Sequence, residues 1–430
     1  MKVKFLFVIS ILFYCISILG ANPVLLQEGV HFTTEPTDVG RFARITIKEH
    51  VNIELKAPAG VKSVQIKPNK NGVKYNIENN TVKLLGVVPG SKIAVTFDEN
   101  YDNPIYLFTD IPQRAEWNNL PAETIRFGKG IHHIGRYDIK GDNVTIFLEE
   151  GAVIKGYFIG HRNTNVKILG YGVIDGRETK RAVRFEKSRH IEISGPVLLS
   201  QNGWTCTFFE CNDVKILNTK IIASQVFSDG IDILATNDVV IKDIFIRNED
   251  DCISIKTKKW SFGGNVENIY IANSVFWSGV RGNALEIGWE LDGDYVRNIR
   301  FEDIDIIRKQ TFTHPFKRAA ISIHHIGDCK VSDVLYKDIR IESVEENLIW
   351  IEQIKPEENS SWGSGGGKIE NIRFENVSYT NGKDVPVVII AREVDGVKNV
   401  SFKNFIVKDK HIVCAKDTIF RLVNTEITLE

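Results

Sequence analysis

Two acidic clusters lie 21 residues apart, the interval from Asp229 to Asp250. The first is Asp229-Gly-Ile-Asp232 and the second Glu249-Asp250-Asp251. Between them the run Asp238–Arg247 is β-branched and aromatic, as a strand is. Carboxylates brought together repel, so one of them keeps its proton toward neutral pH while its neighbours stay ionised. A protonated acid beside ionised carboxylates is the equipment of glycoside hydrolysis: one acid protonates the leaving oxygen and a base activates water on the other face of the sugar. Clustered carboxylates also hold calcium. Acidic turns are common in repeat folds too, and Asp232, Asp238 and Asp243 read as turn or surface residues. On spacing alone these uses stay open.

The clusters need a scaffold that brings them together. From about Thr124 an imperfect repeat runs through the chain. Units of the form Asn/Asp/His-apolar-x-apolar open at Asn143, Asn165, His190, Asp213, Asp238, Asn268, Asn298, Asp333, Asn371 and Asn399. The first intervals are 22, 25, 23 and 25 residues, and later ones are longer, so insertions loop out there. A period in this range means a solenoid. The Leu-x-x-Leu-x-Leu frame of leucine-rich repeats is absent, and each unit holds two or three short strands. The expected fold is all-β, a right-handed parallel β-helix over residues 121–430. Its coils pair about 4.8 Å apart, and a single coil cannot bury its own apolar side. The Asn or Asp opening each unit suits a turn, because it tolerates left-handed backbone and bonds locally. Asp229 and Asp250 then fall on neighbouring coils. Asp251 points away from Asp250 on a regular strand, so both reach one groove only at a bend or bulge.

Ahead of the repeat, residues 22–120 hold short alternating runs such as Arg44–Lys48, Val64–Lys67 and Lys92–Phe97, separated by turn clusters. They predict a small β-sandwich, either a packing domain or a carbohydrate-binding unit. Residues 1–21 combine Lys2 and Lys4, an apolar run from Phe5 to Leu19 and the small pair Gly20-Ala21, the pattern of a signal peptide. The mature chain is therefore expected to be secreted or periplasmic, with no membrane span.

The composition is ordinary for a globular protein, with 43% hydrophobic and 25% charged residues. A formal net charge of −1 argues against nucleic-acid and acidic-membrane partners. After the leader five cysteines remain: Cys206, Cys211, Cys252, Cys329 and Cys414. An odd count gives no full disulfide framework, and no Cys-x-x-Cys pair suggests zinc. They read as small buried residues with room for one disulfide. Gly363–Gly367, after Trp362, reads as a surface loop.

Ser228-Asp-Gly-Ile-Asp232 followed by Asn248-Glu-Asp-Asp-Cys-Ile-Ser-Ile255 resembles the active-site pair of glycoside hydrolase family 28, the polygalacturonases. That family's pattern is Asn-Thr-Asp-Gly-hydrophobic-Asp, then Asp-Asp-Cys about 20 residues on. The resemblance spans roughly residues 124–430. It implies a secreted, metal-independent β-helix hydrolase that inverts configuration and needs no cofactor. It also implies Asp250 as general acid, with Asp229 and Asp251 positioning and activating water, acid and base standing about 6.5–9.5 Å apart. Two family motifs are missing. Asn283 falls where the family's Gly-His-Gly places its histidine. Lys317-Arg318-Ala-Ala-Ile-Ser-Ile-His-His325 replaces the Arg-Ile-Lys that grips a substrate carboxylate, with Arg318 a candidate substitute. Ile287-Gly-Trp289 and the N-terminal sandwich are more similar to family 49, the dextranases and isopullulanase.

Other groove candidates follow from position. Lys256 could bind a sugar and would favour an ionised Asp251. Trp289, beside Glu290 and Asp292, suits stacking on a sugar, whereas Trp277 sits in an apolar run and reads as core. Glu286 lies on an alternating strand near the motif. Of His324 and His325, one should face inward and one outward, and His325 is taken as the substrate-facing one. His132-His133 poses the same ambiguity far from the acids. The expected partner is a polysaccharide or oligosaccharide, of galacturonan type or an α-glucan, and the protein is expected to be a monomer. A calcium-dependent lyase and a non-catalytic glycan-binding protein are the readings from other classes.

Overall fold

The computed structural model describes residues 24–27, 30–33, 35–112, 114–311, 317–355, 365–380, 382–417 and 419–430. The expected signal peptide, Trp362 and the start of the Gly363–Gly367 loop lie outside them. The regular structure of the described residues is almost wholly strand.

Two five-stranded sheets come first. One contains Val24–Gln27, Val30–Thr33, Val51–Lys56, Lys74–Glu78 and Thr81–Val87. The other contains Glu35–Thr37, Gly40–Thr46, Val64–Lys67, Lys92–Phe97 and Ile105–Asp110, and Gly40–Thr46 runs parallel to Ile105–Asp110 there. Alternation explains the packing. Ile53, Leu55, Val82 and Leu84 of the first sheet meet Ile45, Ile93, Val95 and Leu107 of the second. The second sheet is buried on its other face as well. Ala94, Tyr106 and Phe108 pack against Leu199, Ile222, Phe245 and Trp277 of the following unit. Trp277 is thus core, at the seam between the two units.

From Ile125–Phe127 to Ile427–Leu429 the chain winds into a right-handed parallel β-helix of 28 strands. Ile146, Ile168, Ile193, Ile216, Ile241 and Ile271 stand directly above one another, followed by Phe301, Tyr336, Phe374 and Phe402. Every member is essentially inaccessible to solvent. Burial of each such side chain contributes roughly 1.5–3 kcal/mol. The four rings stack with centroids 4.6–4.9 Å apart.

All ten residues that open the repeats are left-handed, with φ between 53° and 61°. Their side chains form the turn ladders that the repeat predicts. Asn268 Nδ2 donates to Asp238 Oδ1 at 2.8 Å and Asn298 Nδ2 to Asn268 Oδ1 at 2.7 Å. His190 joins the series through Asp213, at 2.7 Å. Asp238 and Asp243 are such turn residues, but Asp232 is not. Cys206, Cys211, Cys252 and Cys329 are buried thiols, Cys414 is exposed, and no disulfide forms among the described residues.

Candidate active site

Five strands stack on one face: Cys206–Phe209, Ile231–Leu234, Ile253–Lys256, Leu285–Trp289 and Ala319–His325. Ile231, Ile233, Ile253, Ile255, Leu285, Ile287, Ile321 and Ile323 point into the coil interior. Their neighbours Asp232, Lys256, Glu286, Ser322 and His324 therefore point to the groove side. Asp229 and Asp250-Asp251 precede the second and third of these strands, at the corner left by Lys220–Ser224 and Phe245–Asn248. Ile231 pairs with Ile253, a step of 22, so Asp251 rather than Asp250 stands over Asp229.

The corner is held by its own backbone. Asn248, fully buried, donates through Nδ2 to the carbonyls of Ser228 at 2.8 Å and Asp251 at 2.7 Å. Ser228 Oγ accepts from Glu249 N at 3.1 Å. Two glycines let the coils touch. A Cβ at Gly230 would lie 2.4 Å from the Cys252 carbonyl, and one at Gly282 would lie 1.9 Å from the carbonyl carbon of Asp250.

One carboxylate oxygen from each of Asp229, Asp250 and Asp251 falls within 4.8 Å of the other two. Adjacent coils, one strand spacing apart, bring them together. Asp250 is half-buried, and its carboxylate has no hydrogen-bond partner among the described residues. Asp251 is buried, and its Oδ1 accepts from Asn283 N at 2.7 Å and Asn283 Nδ2 at 3.0 Å. Burial, and then the charges of Asp250 and Glu286, push Asp251 up to about 8. Burial and the charge of Asp232 likewise hold Asp229 well above the carboxylate range. Protons therefore stay in this cluster near neutral pH.

Lys256 supplies the compensating charge. Its Nζ lies 2.9 Å from Asp232 Oδ1 and 3.3 Å from Asp229 Oδ2. Burial pulls Lys256 down, but Asp232, Asp229 and Glu290 outweigh it and hold the ammonium well above its ordinary value. Lys256 was expected to favour an ionised Asp251, and its charge does lower that carboxyl, but its bonded partner is Asp232, since both project to the groove side from paired strands. The three aspartates could ligate a cation, but a buried ammonium already stands against Asp229.

The other expected residues divide. Trp289 and Arg318 line the same cavity of about 600 Å³ as the three aspartates and Lys256. Trp289 stacks on His324 with ring centroids 4.7 Å apart. The guanidinium of Arg318 lies 5.9 Å from the Trp289 ring and lowers Asp251 against the effect of burial. Asn283 does not reach the cavity. It is fully buried, and while its nitrogens hold Asp251 its Oδ1 accepts from Ala319 N at 2.8 Å. His325 is also placed elsewhere. It follows Ile321 and Ile323 inward, and its Nε2 lies 2.7 Å from the Cys329 carbonyl. His324 is the groove-side histidine, its Nδ1 2.9 Å from the fully buried Glu286.

Arg181, Trp204 and Trp260 line the cavity without having been singled out by the sequence, and Asp232, expected as a turn or surface residue, is buried against Lys256 instead. The repeat period was the available signal. Thr205 N bonds the Asp229 carbonyl and Ala182 N the Thr205 carbonyl, so steps of one coil back from Asp229 lead to Trp204 and then Arg181. Trp260 sits on a short hairpin, Lys258–Lys259 with Phe262–Gly263, that no period reveals.

Fold and groove define a right-handed parallel β-helix protein with an acidic cleft. The chain belongs to the Glycosyl hydrolases family 28, whose family model matches residues 123–421. Among curated proteins it is 22% identical over 231 residues to "Polygalacturonase QRT2" of Arabidopsis thaliana, covering 52% of this chain and 48% of that one. It is 30% identical over 202 residues to "Probable endopolygalacturonase C" of Aspergillus aculeatus, covering 46% and 47%. The chain thus spans about half the length of these relatives. Among solved structures it is similar to the polygalacturonase from Erwinia carotovora ssp. carotovora, with a TM-score of 0.54, 16% identity, and 72% and 91% of the two chains covered. It is also similar to Dex49A from Penicillium minioluteum, with a TM-score of 0.58, 11% identity, and 95% and 93% covered. No helix among the described residues is long and apolar enough to cross a membrane.

Proposed function

We propose that the protein is an exported glycoside hydrolase that cleaves α-linked galacturonan-type chains with inversion. The observation that carries this reading is the convergence of three carboxylates within 4.8 Å at one cavity, with protons retained there near neutrality. Family membership and the polygalacturonase relatives support the substrate class.

Asp250 is the general acid. Among the described residues its carboxylate has no hydrogen-bond partner, and it faces the cavity, so it can give its proton to the departing glycosidic oxygen. Water is held by Asp229 and Asp251, one coil apart, and gives its proton to whichever of the two is ionised as it attacks the anomeric carbon. Asn283 fixes the orientation of Asp251, and Lys256 and Arg318 oppose the burial that keeps protons on the pair, so that one member can be ionised. Inversion requires this water to lie on the Asp229–Asp251 side, on the opposite face of the sugar from the proton that Asp250 gives. The first sandwich acts as a packing unit on this reading, since one of its sheets is buried against the β-helix.

The test is reducing-end release from polygalacturonate, rhamnogalacturonan, dextran and pullulan by the parent and by Asp250→Asn, with the anomer of the first product followed by NMR. Release from polygalacturonate that the substitution abolishes supports the assignment. Release from dextran alone would replace the substrate class, and a retained anomer would overturn the role of the water. An unsaturated, ultraviolet-absorbing product lost to a chelator would replace hydrolysis by lyase chemistry. Binding without release from any glycan would leave a non-catalytic protein.

A further inference from the structure

The cavity crosses the coils from Arg181 to Arg318 and holds five cations: Arg181, Arg184, Lys256, Lys259 and Arg318. Three are neutralised within the protein. Arg184 Nε donates to Glu186 at 2.5 Å, Lys256 bonds Asp232 at 2.9 Å, and Lys259 pairs with Glu290. Among the described residues Arg181 and Arg318 have no carboxylate partner. Arg318 acts on Asp251. Arg181 has no such task. Its guanidinium lies 5.5 Å from the Tyr157 ring, it is partly buried, and burial together with the like charge of Arg184 lowers its affinity for its proton. The carboxylate that attracts it, Glu186, is already bonded to Arg184, and a partly desolvated cation at a cavity wall without a bonded carboxylate is a site for an anion.

Aromatic rings stand beside it. Trp204 and Trp260 have ring centroids 5.4 Å apart, and Phe227 and Trp260 are 64% and 66% exposed although both line the cavity. Exposed rings at a polar cavity offer flat apolar faces to a sugar. Arg181 precedes Ala182, which bonds to Thr205, which bonds in turn to Asp229. Arg181 therefore stands two coils from Asp229 and three from the Asp250–Asp251 corner, about 10 and 14 Å away along the stack. It is too far to touch the sugar whose bond is broken.

Resting on the hydrolase reading above, we propose that Arg181 is a specificity-determining residue of a distal subsite: it binds the carboxylate of a uronosyl residue whose ring lies on the Trp204–Trp260 shelf. The subsite would bind only chains long enough to extend from Asp250 across three coils.

The experiment measures kcat/KM for galacturonate oligomers of increasing length with the parent, Arg181→Gln and Arg181→Lys. The parent is expected to gain sharply once an oligomer reaches Arg181. Arg181→Gln should reduce that gain by roughly ten- to a hundredfold, the worth of a charged hydrogen bond, while Arg181→Lys retains most of it. An equal gain in parent and Arg181→Gln, or no gain with length in the parent, overturns the inference while leaving the hydrolase reading intact. An equal loss in both variants would trace the effect to packing rather than charge and would overturn it too. If the parent cleaves no galacturonate oligomer, the hydrolase reading of the site fails and this inference fails with it.

Discussion

Asp232 and Lys256 form a buried ion pair, Oδ1 to Nζ 2.9 Å, and the same ammonium lies 3.3 Å from Asp229 Oδ2. Their strands pair Ile231 with Ile253 and Leu234 with Lys256, so the lysine reaches back along the groove to meet both aspartates. Removing one partner strands a buried charge, at a cost of about 3–5 kcal/mol. Lys256→Met should lower the denaturation midpoint accordingly, and adding Asp232→Asn should recover part of that loss. Hydrolysis should not recover, because Asp229 would still lack its cation. Urea unfolding of the two variants beside a turnover assay checks both halves.

Asp250→Asn should leave the fold unchanged, since the carboxylate makes no protein hydrogen bond among the described residues. Losing a general acid should lower kcat by roughly 10²–10⁴-fold, with substrate affinity largely kept. Calorimetric binding of a galacturonate oligomer to the inactive variant separates the two effects. A variant that turns over at the parent rate would place the acid on another residue.

Asp251 links the site to stability. Its carboxyl titrates near 3.8 when unfolded and is held at about 8 by burial and by Asp250 in the folded chain. Between those values the folded state binds more protons, so this group makes stability fall as pH rises from about 4 to about 8. Asp251→Asn removes that dependence and keeps an oxygen to accept from Asn283. The variant should be inactive yet more stable than the parent at pH 8, by on the order of 2 kcal/mol. The gain should vanish below pH 4. Melting temperatures across this range test the sign, and a variant less stable than the parent at pH 8 would contradict it.

The architecture was legible because a solenoid writes its period into the chain. Ten turn residues at repeat-opening positions announced the left-handed corners, and the apolar residue three positions after each opener became the central stacked column. The three aspartates were legible for the same reason, lying about one coil apart. What period alone misjudged was side-chain destination within a rung. His325 and Asn283 lie on the expected strand and corner, but alternation turns the first inward and two hydrogen bonds hold the second behind Asp251. Asp232 looked like a turn residue because a buried carboxylate needs a partner, and that partner, Lys256, lies one coil onward. Trp260 was invisible because its hairpin forms a separate two-stranded sheet outside the stacked coils.

Asp110 tests how far the groove depends on the unit ahead of it. It ends the last strand of the sandwich, is nearly inaccessible, and accepts from Asn218 Nδ2 at 2.8 Å while pairing with both Arg44 and Lys220. Arg44 Nη1 in turn donates to the Tyr171 carbonyl of the β-helix at 2.7 Å. Burial would raise Asp110, but Lys220 and Arg44 more than offset it and hold its carboxyl well below the usual range. A group depressed in this way contributes stability above its unfolded value near 4, lost as the pH falls toward its folded value. Burial holds Lys220 well below its ordinary value even beside Asp110, so Asp110→Ala strands chiefly Arg44, with Lys220 shedding its proton, at a cost of about 3 kcal/mol at neutral pH. Phe108 and Tyr106, on the same strand, pack on Phe245, which is two residues from Arg247 and close to the acidic corner. The loss should therefore appear both as a lower melting temperature and as faster proteolysis across the seam between sandwich and β-helix. At pH 3 the difference between variant and parent should narrow. A variant that melts with the parent at neutral pH would show that the seam holds through its apolar contacts alone.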